Sequence, residues 1–245
     1  MSKFQPVGFA MGIKWVLLLV CLMITSADAA KHVVVLGQTQ IIVKEYRYGR
    51  GATYVHLHQN ETTALSAAKV VAYARGGRVL TLSHPGGRNI VFYYNKKRYE
   101  FDPNRIFTDH GIKQSLLEFG PYSKTAAREV KKLSRVIKAL LGSGKIIAAH
   151  NNESYSLKYY LPGHALAKDT RALYHNRRQY YRNFFVVTRR ADYRRLKHEK
   201  YNSVLQARHP TDDGSLSVFL AKRRYVNVEA GYDQLHKQIK MLKHA

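Results

Sequence analysis

His58 and Glu61, three residues apart in YVHLHQNE (residues 54–61), stand where an apolar run gives way to a helical pattern. A strand end followed by a turn can aim an imidazole and a carboxylate at one cation, and both groups suit zinc. Alone the H-x-x-E spacing is weak, because a surface histidine followed by a glutamate in a helix's first turn fits it as well. Three later placements strengthen it. KIIAAHNN sets His150 at the end of another apolar run, where it completes a two-histidine, one-carboxylate zinc site with a position open for water. YVNVEAG sets Glu229 at the end of a further run, after alternating apolar residues and before a glycine, as a general base. RYEFDPNRIF supplies Asn104 and Arg105, adjacent polar groups for a substrate carboxylate, the arginine bidentate.

Several neighbours compete for these roles. His56 lies two residues before His58 on the same strand face and reads as a packed or supporting neighbour, with direct ligation as the alternative. An H-x-H pair also suits a metal-dependent amidohydrolase barrel, but the chain is near the short end for that fold. His84 ends a strand and rivals His150, and Glu153 repeats the H-x-x-E spacing with no clear helix after it. Asp212-Asp213-Gly214 reads as a turn, with a substrate-loop role as the alternative. Tyr225 and Tyr232 flank Glu229, as core packing or as hydrogen-bond donors.

Positioning such a set requires strands whose ends meet. Residues 32–37, 40–46, 52–58 and 78–84 are rich in β-branched and aromatic side chains and predict strands, as do residues 145–150. Residues 61–74 carry helical spacing, closed by Gly76-Gly77, and residues 123–144 predict a long amphipathic helix opened by Ser123. NIVFYY and KRYEF form a hairpin around residues 95–97. FFVVT, SVLQA, LSVFLA and YVNVEA predict later strands. Strands interleaved with crossover helices predict one α/β domain, a mixed twisted sheet with helices on both faces. In an open sheet of this kind, ligand groups gather at the carboxyl ends of strands, where His58, His150 and Glu229 all fall.

The bulk properties narrow the setting. Residues 15–24, WVLLLVCLMI, follow Lys3 and Lys14 and precede TSADAA, which predicts a signal peptide over residues 1–30 and a periplasmic or secreted catalytic domain over 31–245. The apolar run is short for a bilayer span of ~20 residues. The only cysteine, Cys21, falls inside it, so a metal site beyond it uses His, Asp and Glu rather than thiolates. Across 245 residues, 41 Lys and Arg against 16 Asp and Glu give a net charge of +25, which favours anionic partners such as nucleic acid, lipid head groups or cell-wall polymers. The most basic stretch, residues 168–200, interleaves cations with aromatics. It predicts a polyanion surface with stacking platforms or a solvated helical face followed by a core strand.

Taken in order, H-x-x-E, D-P-N-R-I-F, H-N-N and V-x-V-E-A-G resemble the motifs of the zinc carboxypeptidase superfamily, and most closely its succinylglutamate desuccinylase/aspartoacylase branch. The resemblance extends from His58 to Glu229. It implies zinc held by His58, Glu61 and His150, a substrate carboxylate on Asn104 and Arg105, and Glu229 as general base. It also implies an arginine upstream of the Asn–Arg pair that polarises the scissile carbonyl; Arg98 takes that place, with Arg88 as its rival. Gln59 and Pro103 depart from the branch's usual glycine and leucine, and a C-terminal β-domain is not expected. The implied activity is hydrolysis of an amide beside a free carboxylate, on a peptide such as a cell-wall peptide. The alternatives are an N-acyl amino acid deacylase and a non-enzymatic polyanion binder on a hydrolase scaffold.

Overall fold

The computed structural model describes residues 29–245. The sequence-predicted leader lies outside the described residues except for Ala29 and Ala30, and Ala30 already opens the first strand. In chain order the elements are β1 (Ala30–Leu36), β2 (Thr39–Arg47), β3 (Thr53–His56), α1 (Thr62–Arg75), β4 (Arg78–Ser83), β5 (Ile90–Tyr94) and β6 (Lys97–Phe101). They continue with α2 (Asp109–Phe119), α3 (Lys124–Leu140), β7 (Ile146–Asn152), β8 (Thr170–Tyr174), β9 (Phe184–Val187) and α4 (Arg190–His198). The last are β10 (Ser203–Gln206), α5 (Leu216–Phe219), β11 (Tyr225–Gly231) and α6 (Leu235–His244).

Nine strands form one mixed sheet in the order β1-β2-β4-β3-β7-β11-β9-β10-β8, and β5 and β6 pair as a separate hairpin. The middle four, β4, β3, β7 and β11, run parallel, so their carboxyl ends share one edge of the sheet. β7 and β11 are buried along their whole length, as strands covered on both faces must be. Alternation sends Ile146 and Ala148 to the side packed by α2, α3 and the hairpin, and Ile147 and Ala149 to the side packed by α1, α4 and α6. This is the α/β class that the sequence predicts, with helices on both faces.

Local differences from the expected elements have physical causes. LSVFLA forms the short helix α5 rather than a strand, because the Ser215 hydroxyl accepts the Val218 N–H and caps a helical turn. α2 is capped in the same way, its Thr108 hydroxyl accepting the Gly111 N–H; a glycine in the first turn hides that helix from propensity. In residues 168–200 half of the six aromatics are core: Phe184, Phe185 and Tyr193 are buried, Tyr174 and Tyr181 are partly buried, and Tyr180 is exposed. Among the described residues no helix is long and apolar enough to cross a membrane.

Far from the carboxyl ends of the central strands, β2 buries one carboxylate. Glu45 accepts from Arg47 and Arg78 at 3.0 Å each. Burial pushes its carboxyl up, but the two guanidiniums outweigh burial and hold it below the ordinary glutamate range. A lowered folded-state pKa contributes stability that is present above the unfolded pKa and lost as pH falls through the folded one. Glu45→Gln should therefore cost roughly 2 kcal/mol at neutral pH. The gap to the parent chain should close in acid, as measured by urea unfolding across a pH series.

Candidate metal centre and substrate cavity

Three side chains meet where β3, α1 and β7 come together. His58 follows the end of β3, Glu61 is the residue before α1, and His150 lies in the last turn of pleat of β7. One donor atom from each of the three falls within 4.8 Å of the others, and all three residues are buried. The Glu61 carboxylate sits between the rings, Oε1 at 2.8 Å from His58 Nδ1 and Oε2 at 3.0 Å from His150 Nδ1. Oε2 also accepts the Asn151 backbone N–H, and Oε1 accepts from Arg88 Nη1 at 2.6 Å. Glu61 precedes the helix without capping it. The Ala64 N–H, which has no partner within the first turn, is instead satisfied by the Asn151 side-chain oxygen at 2.8 Å, which fastens α1 to the end of β7.

The second nitrogen of His58 is held by Asp102, with Nε2 to Oδ1 at 2.8 Å. Asp102 in turn accepts the Asn104 backbone N–H, as the cap of a short 3-10 turn whose first residue is Pro103. Proline fits that position because its missing N–H would be unpaired there. Gln59 has its own task, its side-chain oxygen accepting the His84 backbone N–H at 2.8 Å. Burial would lower the His58 pKa, but the carboxylates of Glu61 and Asp102 raise it to about 9. Burial pushes Glu61 up, and the two imidazoles more than reverse it, holding the carboxyl well below its usual range.

A metal ion fits this set. His58 Nδ1 is buried and, despite its closeness to Glu61, makes no hydrogen bond of acceptable geometry. Two imidazoles and a carboxylate are the donors that zinc prefers, and a carboxylate behind one histidine fixes its ring and raises its basicity. His56 is not among the three. Its Nε2 contacts the Glu61 carbonyl at 2.9 Å, which can only accept, so Nε2 carries the proton and Nδ1 accepts from the Thr81 hydroxyl at 2.8 Å. Both ring nitrogens are thus engaged, Nε2 in holding Glu61 by its backbone and Nδ1 on Thr81. Nor is His84 in the cluster; its Nδ1 pairs with the Pro85 carbonyl.

The cluster opens into a cavity of about 460 Å³ that is also lined by Arg88, Asn104, Arg105, Asn152, Asn227 and Glu229. Glu229 stands opposite His150 in the β11–β7 register. Both its oxygens accept from carboxamides, Oε1 from Asn227 at 2.9 Å and Oε2 from Asn152 at 3.0 Å. Asn227 precedes Glu229 by two on the same strand face, a spacing readable in the sequence but not singled out there. Asn104 uses its side-chain oxygen to accept the Leu216 N–H, and Arg105 pairs with Asp213 at 3.2 Å. Tyr225 lines the cavity and is fully buried, and Tyr232 donates or accepts nothing at Glu229 but receives a hydrogen bond from Asn60.

Arg98 lies elsewhere, which corrects the expected assignment. In β6 the inward positions are Tyr99 and Phe101, so Arg98 points outward on the hairpin and pairs with Glu100. Arg88, in the loop between β4 and β5, is the arginine at the cluster.

No protein-family profile matches the chain, and no curated protein matches it in sequence. Its structure is similar to the crystal structure of an aspartoacylase family protein from Mesorhizobium loti, with 14% identity and a TM-score of 0.44 over 88% of this chain. The match covers 64% of that protein, so the chain spans less than two thirds of its length.

His58→Ala and His150→Ala should each abolish stoichiometric zinc uptake, and Asp102→Asn should weaken it about tenfold to a hundredfold. His56→Ala should weaken it less than His58→Ala does. Elemental analysis and competitive chelator titration of the purified chains check all four.

Proposed function

We propose that the chain is a zinc-dependent hydrolase that cleaves an amide bond beside a free carboxylate. The observation that carries this reading is the meeting of His58, Glu61 and His150 in one cavity with Glu229 in register beside His150. Zinc bound there would polarise a carbonyl and lower the pKa of water towards ~7. The chain's own groups supply the remainder. Glu229, oriented by Asn152 and Asn227, takes a proton from the attacking water and returns it to the leaving amine. Arg88 uses guanidinium N–H groups not engaged by Glu61 to stabilise charge on the carbonyl oxygen. Arg105, with Asn104 beside it, takes the substrate carboxylate in place of Asp213.

Carboxypeptidase-like cleavage of a peptide and deacylation of an N-acyl amino acid share this chemistry and differ in the product released. Export, argued from residues 1–30, favours a peptide substrate such as one from the cell wall. The +25 net charge suits surroundings of anionic polymer.

Glu229→Gln should retain zinc and lose about 10²–10⁴-fold in kcat. Arg88→Ala should lower kcat/KM strongly while Arg98→Ala does not. A panel of short peptides and N-acyl amino acids, with product identification and zinc content measured in parallel, tests the reading. Full turnover by Glu229→Gln would remove that residue as the base.

A further inference from the structure

Acidic residues are scarce in this chain, and they are not scattered evenly. Among the described residues, six aspartates and glutamates line the cavity: Glu61, Asp102, Glu153, Asp169, Asp213 and Glu229. Of the far more numerous lysines and arginines among the described residues only two do so, Arg88 and Arg105. Both guanidiniums are already committed, Arg88 to Glu61 and Arg105 to Asp213. With His58 and His150 neutral, as metal ligands are, the lining holds four formal negative charges in excess, and a divalent ion at the histidine–glutamate cluster halves that number without cancelling it.

The uncompensated charges can be located. Glu229 is met only by the neutral carboxamides of Asn152 and Asn227. Asp169 is met by the backbone N–H and the hydroxyl of Thr211, at 2.8 and 2.9 Å. Glu153 is exposed and has no ion-pair partner among the described residues. A second observation is independent of charge. Asn152 and Asn227 are 6% and 8% exposed and line the same cavity, yet their side-chain oxygens have no hydrogen-bond partner. A buried acceptor left unpaired costs about 1–3 kcal/mol and favours any arrangement that brings it an N–H donor. Free carboxylates together with free acceptors form a lining that attracts an ammonium group and repels a second carboxylate.

We propose that the cavity selects substrates that carry a primary ammonium group on the residue beside the scissile amide, and discriminates against dicarboxylates. The proposal rests on the hydrolase reading for where the scissile bond lies, but the charge preference is a property of the cavity itself. Asp169 and Glu153 supply the attraction, and the Asn152 and Asn227 oxygens, buried in this structure, become acceptors for the ammonium N–H groups when the carboxamides turn towards the cavity. When a substrate carboxylate takes Arg105, Asp213 is released and its charge joins theirs.

The test compares three matched ligands, Nα-acetyl-lysine, Nα-acetylglutamine and Nα-acetylglutamate, by calorimetry on the zinc-loaded chain. Turnover of each compound is followed separately. The lysine compound should bind roughly tenfold tighter than the glutamine compound, with the glutamate compound weakest, and added salt should narrow the spread. The double variant Asp169→Asn/Glu153→Gln should bring the lysine-to-glutamine ratio towards one. Asparagine keeps the oxygen that Thr211 uses, and the salt series on the unaltered chain stands even if the variant does not fold. Equal binding of the three, no binding, or preference for the glutamate compound overturns the proposal, whether or not any compound is hydrolysed. A lysine preference in binding with no turnover of these compounds or of the short-peptide panel upholds it and defeats the hydrolase reading.

Discussion

One buried carboxylate, that of Glu61, ties the site together. Two imidazoles, a guanidinium and a backbone N–H converge on its two oxygens from the end of β3, the end of β7 and the loop after β4. A carboxylate with no exposure is tolerated only when it is surrounded by such partners, because an unpaired buried charge costs several kcal/mol. The elements that carry the partners must therefore meet at this point if the chain folds at all. The parallel strands β3, β7 and β11 deliver the side chains to a common edge, and Asn151 fastens α1 so that Glu61 faces inward. The same carboxylate belongs to the group that fits zinc. Folding and metal binding thus draw on one set of contacts.

Much of this was legible because apolar runs announce where strands end. His58, His150 and Glu229 each follow such a run, and the parallel sheet turns three sequence positions into neighbours. The arginine was harder. Arg98 stands much nearer the Asn–Arg pair in sequence than Arg88 does, and only the hairpin overturns that preference. Its inward residues are Tyr99 and Phe101, so alternation forces Arg98 outward, a constraint that YEF already contained. Asp102 was present in the D-P-N-R motif, but its contact with His58 crosses 44 residues and depends on the 3-10 turn that Pro103 opens. For His56 the deciding partners are the Thr81 hydroxyl and the Glu61 carbonyl, neither of which any local pattern reveals.

Close backbone packing also enters the site, through two glycines. A side chain added at Gly111 would lie 2.2 Å from the Gly214 Cα and 2.5 Å from the Arg105 carbonyl oxygen, and Gly214 has a φ of +75°. Helix α2, the turn bearing Arg105 and the loop bearing Asp213 therefore touch without intervening side chains. That contact sets the Arg105–Asp213 ion pair. The aspartate-aspartate-glycine turn is then more than a connection: it places a carboxylate on the arginine whose expected partner is the substrate's own.

The distribution of charge follows from these constraints. Among the described residues most cations lie outside the cavity, while over a third of the acids line it. Exposed charges are screened beyond a Debye length of about 8 Å at physiological salt, whereas charges in a low-dielectric recess are screened far less. A small ligand near the surface therefore meets a weakened positive field, and inside it meets a stronger negative one. The net charge of +25 bears on what the molecule as a whole would adhere to, and on the proposal above the carboxylates of the cavity lining would govern what enters it. Those two properties are set by different residues, so the basic surface is no guide to the charge of the substrate.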